Sequence, residues 1–249
     1  MQPAIEVSGV SKTFVIPHER RLRLKEYFAH PGRRTTYERN QALRDVSFTV
    51  PEGEFFGIVG PNGCGKSTLL KTLARIYRAD AGMVRVNGRI SPLIELGVGF
   101  NYELSARDNI EINGLLLGLT SEEVEAKFDS IIAFAELERF VDQRLKNHST
   151  GMILRLAYAI AIQVPSDILL LDEVLAVGHA SFQAKCFESF VTMRNEGKTI
   201  VLVSHDLGSV IRFCDRAMLL SEGSVQCIGD SRIVVDKYLE SRGVANPWR

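Results

Sequence analysis

The sequence predicts an α/β fold that has a mixed sheet, an antiparallel β subdomain and an inserted helical subdomain. Two runs, 168–171 and 199–203, are typical of strands buried on both faces, and polar residues follow each of them. A glycine-rich stretch, 60–68, lies between a predicted strand and a predicted helix. Residues 105–162 are helical in character and separate two strand-rich regions, which indicates an insertion into the α/β core.

Composition limits the class of protein. The chain has 249 residues, of which 45% are hydrophobic and 24% charged, as in an ordinary globular protein with one large domain. Thirty basic and thirty acidic residues cancel, so we expect no nucleic-acid partner. No apolar run approaches the roughly 18–20 residues that span a bilayer, and no secretory signal is visible. The four cysteines lack metal-ligand spacing, which favours reduced thiols in the cytosol.

The first strands precede the glycine-rich stretch. Residues 5–10 alternate as an edge strand does, and the aromatic Phe14 follows them. Residues 43–50 are predicted to form a second strand, and 54–59 a short buried one.

A basic segment, 18–40, separates the first two strands. It carries seven lysine and arginine residues together with leucine and aromatic residues, and a short helix is predicted near 20–28. One interpretation is that these charged residues form a solvent-exposed face. The other is a partly amphipathic helix that touches membrane headgroups, a membrane partner or an anionic substrate head.

The glycine-rich stretch fits the phosphate-binding P-loop, G-x-x-x-x-G-K-[ST]. Its glycines allow successive backbone N–H groups to face one anion, beside the positive end of the following helix. Lys66 is expected to reach the β- and γ-phosphates, and the Ser67 hydroxyl to ligate Mg²⁺. We therefore predict a nucleoside-triphosphate site that includes Gly60, Pro61, Asn62, Gly63, Cys64, Gly65, Lys66, Ser67 and Thr68.

Downstream of the P-loop helix the sequence gives further boundaries. Residues 83–86 are predicted to form a strand, and Asn87-Gly88 a hairpin-type turn. Ser121 is the predicted N-cap of a helix whose apolar residues recur at helical spacing.

Three polar residues at predicted strand ends complete the predicted site. Asp172 suits a Mg²⁺ ligand that acts either directly or through a metal-bound water, and Glu173 is placed to activate the attacking water. His205 follows the neighbouring strand and could bind the γ-phosphate and sense its loss. In parallel sheets such carboxyl ends meet at one edge, so we expect these residues to converge with the P-loop.

A second predicted anion site decides the class. Ser149, Thr150 and Gly151 begin a helix about twenty residues before Asp172. This order of motifs resembles the ATP-binding cassette (ABC) family, whose signature is usually Leu-Ser-Gly-Gly-Gln; here the serine and the central glycine are kept. The resemblance covers about residues 5–229 and implies the ABC ATPase fold. It implies one cassette over residues 1–240, with the basic insertion at 18–40 and helices at 103–163, and a tail at 241–249.

The resemblance also implies roles and a partner. Two copies would stack head to tail, with ATP between one P-loop and the Ser149–Gly151 region of the other copy. Phe14 matches the aromatic residue that stacks on adenine. Glu95 lies where the family has a glutamine that approaches the metal, and His179 stands where an aspartate is usual.

Residues 93–100, 149–152, 172–178 and 181–183 resemble one branch, the ATPase subunits of polysaccharide exporters of the Wzt and KpsT type, which move O-antigen, galactan, capsule or teichoic acid. That likeness implies a homodimer on the cytoplasmic face of the inner membrane, an integral membrane permease, and a lipid-linked polysaccharide bound mainly by the permease. We expect the chain to lack the carbohydrate-binding domain that follows the cassette in some members. The alternatives are a cassette of another transporter class, a soluble ABC ATPase of DNA repair or translation, and a P-loop kinase or GTPase.

Overall fold

The computed structural model describes residues 2–17, 37–94, 96–172 and 179–248. Three sequence-based predictions fall outside the described residues: the basic helix near 20–28, the metal-approaching Glu95, and the stretch 173–178 with its proposed base Glu173. The last four residues of the predicted basic segment, 37–40, are described and belong to a strand.

A six-stranded sheet forms the centre of the protein. Its strand order is β5-β6-β7-β3-β8-β9, and all neighbours are parallel except β8 and β9. The strands are β3 (Phe55–Val59), β5 (Ile90–Leu93), β6 (Ile168–Asp172), β7 (Thr199–Val203), β8 (Arg216–Ser221) and β9 (Ser224–Asp230). All of β3 and β7 is buried, as expected for parallel strands that are covered on both faces.

The two faces of this sheet contact different partners because successive side chains alternate. Phe55 and Leu169 belong to a core cluster on one face, which includes residues of the later helices. Phe56 and Leu170 belong to the cluster on the other face, which includes the P-loop helix and the smaller sheet.

The smaller sheet is antiparallel and has the order β2-β1-β4, with β1 (Ile5–Pro17), β2 (Tyr37–Val50) and β4 (Ala81–Val86). The prediction that 5–10 form an edge strand is wrong, because β1 pairs with both neighbours: Ile5 lies opposite Val50 on one side and Val86 on the other. The predicted hairpin at Asn87-Gly88 is also wrong. β4 pairs with β1, whereas the next strand, β5, joins β6 in the other sheet.

Three helices form a separate apolar core between β5 and β6: α2 (Ala106–Leu116), α3 (Ser121–Ala135) and α4 (Thr150–Ile162). A short 3₁₀ turn, Leu145–Asn147, precedes α4. Thr120, not Ser121, is the N-cap of α3, and it forms a capping box with Glu123. Sequence alone cannot decide which of two adjacent hydroxyl residues is the N-cap, since serine and threonine are both preferred at that position.

The remaining helices pack on the central sheet. They are α1 (Lys66–Leu73), α5 (Ala180–Asn195), α6 (Leu207–Phe213) and α7 (Ser231–Ser241). Within the described ranges, none of the helices is both long and apolar enough to cross a membrane. The predicted α/β fold class is confirmed, with its mixed sheet, antiparallel β sheet and helical insertion.

Candidate nucleotide-binding site

The loop between β3 and α1 packs against the backbone of two other strands. A Cβ atom on Gly60 would lie 2.0 Å from the carbonyl oxygen of Leu220, and one on Gly65 would lie 2.4 Å from that of Ala42. Both glycines have positive φ, 153° and 110°, which side chains strongly disfavour. The glycines are therefore required by close packing as well as by backbone conformation.

Lys66 begins α1 and its side chain turns back over the loop. Its Nζ donates to the carbonyl oxygen of Gly60 at 2.8 Å and to that of Pro61 at 3.0 Å, and the residue is buried. The first-turn amides of a helix have no acceptor one turn earlier, so those of Lys66, Ser67 and Thr68 are donors suited to an anion. Lysine and amide donors thus converge at the start of α1.

An open cavity of about 390 Å³ lies over this loop. It brings together side chains that are far apart in the sequence: Phe14 from β1, residues of the phosphate-binding loop, and His205, which follows β7. The described lining is Phe14, Asn40, Ala42, Asn62, Gly63, Gly65, Lys66, Ser67, Thr68 and His205. In this cavity the aromatic ring can contact a base, the loop can contact a phosphate chain, and the histidine can contact the terminal phosphate.

The strand register explains why His205 reaches the loop. Residues of β7 pair directly with β3 on one side and β6 on the other, so Val203 lies opposite both Ile58 and Asp172. The carboxyl ends of β3, β6 and β7 therefore meet at one edge of the sheet, as the sequence predicted. Asp172 ends β6 there, and its Oδ1 is buried from water.

The oxygen donors at this edge suit a magnesium ion. Ser67 is exposed on the cavity and supplies a hydroxyl. Asp172 supplies a carboxylate oxygen at the end of β6, which β7 separates from β3, and it is not among the described residues that line the cavity. Within the described part of the chain, no three acidic, histidine or cysteine side chains cluster as a metal cage. A Mg²⁺ site usually has few protein ligands when substrate phosphates complete the coordination of the ion.

The predicted second anion site is the N-terminus of α4. Ser149 caps it by accepting a hydrogen bond from the backbone N–H of Met152 at 3.2 Å, and Ser149 and Thr150 are exposed. Among the described residues, neither these two nor Gly151 lines the cavity over the phosphate-binding loop. Within one copy of the chain, the two predicted anion sites are therefore separate.

Cys64 lies inside the loop and is buried. Burial raises the pKa of its thiol, although the nearby Lys66 ammonium acts in the opposite direction. Its backbone carbonyl accepts the N–H of Gly223, so the β8–β9 turn supports the phosphate-binding loop.

Sequence reasoning missed two of the residues that line the cavity. Asn40 was assigned to the basic segment, and Ala42 received no role, whereas both belong to β2 beside the loop. The strand signal in 43–50 could have been extended to them only with knowledge of the pairing between β1 and β2, which is non-local.

A parallel sheet with a phosphate-binding loop at its carboxyl edge, an antiparallel sheet and an inserted helical group together define an ATP-binding cassette. The family model described as "ABC transporter" matches residues 43–176. The chain belongs to the ABC transporter family, and its predicted ATPase class is confirmed by that match.

Named relatives lie in the predicted branch. An O-antigen export system ATP-binding protein, RfbB of Klebsiella pneumoniae, is 38% identical over 97% of this chain and 99% of the relative. The RfbB protein of Myxococcus xanthus is 47% identical over 82% of this chain but only 47% of the relative. A teichoic acids export ATP-binding protein, TagH of Bacillus anthracis, is 38% identical over 96% of this chain and 43% of the relative. The chain thus spans about half the length of the last two.

Solved structures agree on the fold. The ATP-binding cassette MJ0796, in a dimeric post-hydrolysis state bound to ADP and phosphate, superimposes with a TM-score of 0.73. The match covers 92% of this chain and 99% of that one, at 24% sequence identity.

Proposed function

We propose that this chain is the ATP-hydrolysing subunit of a transporter that exports a lipid-linked polysaccharide of the O-antigen or teichoic-acid type. The observation that carries the proposal is the match with the Klebsiella O-antigen export protein, which extends over nearly the full length of both chains. A homodimer on the cytoplasmic face of the membrane would drive a separate integral membrane permease, which would bind the glycan.

The cavity supports assignments for the nucleotide. Phe14 stacks on the base, and the backbone N–H groups of the loop and of the first turn of α1 hold the phosphates. Lys66 leaves the carbonyls of Gly60 and Pro61 to contact the β- and γ-phosphates, and this exchange keeps its ammonium hydrogen-bonded throughout.

Hydrolysis needs a water, a base and charge neutralisation. Ser67 and Asp172 would hold Mg²⁺, which when bound neutralises charge on the phosphates. Glu173, outside the described residues, is the proposed base that takes a proton from the attacking water. His205 is proposed to hydrogen-bond the γ-phosphate and so to distinguish ATP from ADP. Glu95, also outside the described residues, is the proposed replacement for the family's metal-approaching glutamine.

The separation of the two anion sites supports the proposed dimer. The capped N-terminus of α4 is exposed, and we assign it to the γ-phosphate of the ATP held by the other copy. Each ATP would then be enclosed only when two copies meet, so one copy would hold half of each working site.

Mixing two inactive variants tests this arrangement. Lys66→Ala disables the phosphate-binding half, and Gly151→Glu places a carboxylate at the N-terminus of α4 and disables the other half. In a symmetric dimer, an equal mixture should regain about a quarter of the wild-type ATPase rate, since half of the dimers are mixed and each holds one intact site. A mixture of Lys66→Ala with Ser67→Ala is the matched control and should stay inactive, because both changes affect the same half. An inactive first mixture of folded proteins would contradict the shared site.

The export function is tested in the cell that makes the protein. Deleting the gene should remove a surface polysaccharide while its lipid-linked form accumulates inside, and a plasmid copy should restore the surface glycan. An unchanged surface, combined with co-purification of the protein with nucleic acid, would instead favour a soluble ABC ATPase.

A further inference from the structure

The ring of Phe14 packs against a second aromatic residue, Tyr77. The two ring centroids lie 5.4 Å apart with an interplanar angle of 72°, an edge-to-face arrangement. Phe14 lines the cavity over the phosphate-binding loop, whereas Tyr77 is not among its described lining residues. Tyr77 therefore contacts the ring of Phe14 from outside the cavity.

Tyr77 is fixed to the end of the helix that begins at the phosphate-binding loop. The backbone N–H groups of Ile76 and Tyr77 both donate to the carbonyl oxygen of Lys71, at 2.9 and 3.1 Å. The Lys71 ammonium lies 5.8 Å from the centroid of the Tyr77 ring, within the range of a cation–π contact. The short helix, about 12 Å long, begins at Lys66 and ends at Leu73, and the hydrogen bond to Lys71 ties Tyr77 back to its last turn.

Asp80, three residues after Tyr77, holds the strand that carries Phe14. The Asp80 backbone N–H donates to Ser11, and its carboxylate accepts from the Thr13 N–H at 2.6 Å and from Lys12 Nζ at 2.9 Å. Lys12 Nζ also lies 5.6 Å from the centroid of the Phe14 ring. Backbone and side-chain contacts therefore hold the three residues of β1 that immediately precede Phe14.

We propose that Tyr77 is a positioning residue of the nucleotide site, which holds the ring of Phe14 in the orientation that stacks on the base. The proposal rests on the proposed ATP site. A half-buried ring on a strand would otherwise lose rotamer freedom when the base arrives, and holding it beforehand removes that cost from binding. Because α1 begins at the phosphate-binding loop, the same contact sets the distance between the base platform and the phosphates.

Comparing two ligands separates this role from a general structural one. The β,γ-imido analogue of ATP has a base, whereas inorganic tripolyphosphate has only the phosphate chain. Tyr77→Ala should weaken binding of the analogue about two- to tenfold and leave the affinity for tripolyphosphate unchanged. Tyr77→Phe keeps the ring and should bind both ligands as the wild type does. Ile76→Ala, on the exposed neighbour in the same turn, is the matched control and should change neither affinity.

A double variant tests whether Tyr77 acts through Phe14. If it does, Phe14→Ala with Tyr77→Ala should bind the analogue no more weakly than Phe14→Ala alone. An additive loss, an equal loss for tripolyphosphate, or no loss in Tyr77→Ala would each overturn the proposal while leaving the ATP site intact. Wild-type protein that binds neither ligand would overturn the ATP site and, with it, this inference.

Discussion

The ammonium of Lys66 lies 2.8 Å from the carbonyl oxygen of Gly60, the first residue of the phosphate-binding loop. One side chain thus connects the end of the loop to its beginning, and a second bond at 3.0 Å to Pro61 strengthens the link. The loop that receives the phosphates is therefore organised by the same charge that we assign to contact them.

Replacing Lys66 by alanine should weaken ATP binding about a hundredfold, or ~2–3 kcal/mol, because a charge-assisted contact to phosphate is lost. Calorimetric titration measures the affinity. Lys237→Ala, which removes an exposed lysine on α7, is the control for net charge and should bind ATP normally. Unchanged affinity in Lys66→Ala would refute the phosphate-binding assignment.

Two glycines of the loop, Gly65 and Gly63, provide a matched pair of alanine variants for measuring stability. Gly65→Ala places a Cβ atom 2.4 Å from the Ala42 carbonyl oxygen, so the backbone must move. Residue 65 also has a φ of 110°, which adds conformational strain for alanine. We expect a loss on the order of 3 kcal/mol or more in the free energy of unfolding. At Gly63, with a φ of 75°, the Cβ atom would meet nothing within 4 Å among the described residues, and conformational strain alone costs about 1–2 kcal/mol.

Urea unfolding without nucleotide measures both variants, so that ligand affinity does not enter the comparison. Equal losses in Gly63→Ala and Gly65→Ala would show that the close approach of Ala42 to the loop does not contribute to stability.

Much of this site could be predicted because its signals are local. The spacing of residues 60–68 determines the loop, and the apolar runs before Asp172 and His205 identify buried strands whatever their order. Cap chemistry located the starts of α3 and α4 within one residue. These features depend on neighbours along the chain, which a sequence displays directly.

The two wrong strand predictions concern pairing, which depends on residues distant in the sequence. Asn87-Gly88 has hairpin chemistry, but only the positions of β1 and β6 determine that β4 and β5 enter different sheets. Strand β1 has the alternation of an edge strand, yet β4 covers its second side. The contact between Phe14 and Tyr77 likewise joins two elements that no local pattern connects.

The proposed base gives a kinetic prediction. Glu173 follows Asp172, which lies at the carboxyl end of β6 near the loop, so its carboxylate is assigned to the attacking water. Glu173→Gln should lower the ATPase rate a hundredfold or more, about 3 kcal/mol of barrier, while ATP affinity is retained. With ATP present, the variant should accumulate as a dimer on size-exclusion chromatography. Normal turnover would exclude Glu173 as the base.

Glu136 links the inserted helical group to the central domain. It caps α3 with a positive φ of 59°, and its carboxylate lies 2.7 Å from Arg155 Nη1 on α4 and 2.6 Å from Lys185 Nζ on α5. The hydrogen bond from Lys185, with help from Arg155, lowers the pKa of Glu136 below its ordinary value of 4.5. A carboxylate whose pKa is lower in the folded state stabilises that state above its unfolded pKa, and the contribution disappears as pH falls through the folded pKa.

Glu136→Gln should therefore lower the free energy of unfolding by about 1 kcal/mol at about pH 7, a modest value because the carboxylate is 39% exposed. The difference from wild type should shrink as pH falls below about 4.5 and disappear below the folded pKa of Glu136, as urea unfolding at several pH values can measure. Glu136→Gly loses the same ion pairs but relieves the left-handed backbone, so it should be more stable than Glu136→Ala by roughly 1 kcal/mol. A difference between Gln and wild type that persists unchanged at low pH would mean that the charge of Glu136 does not stabilise this junction.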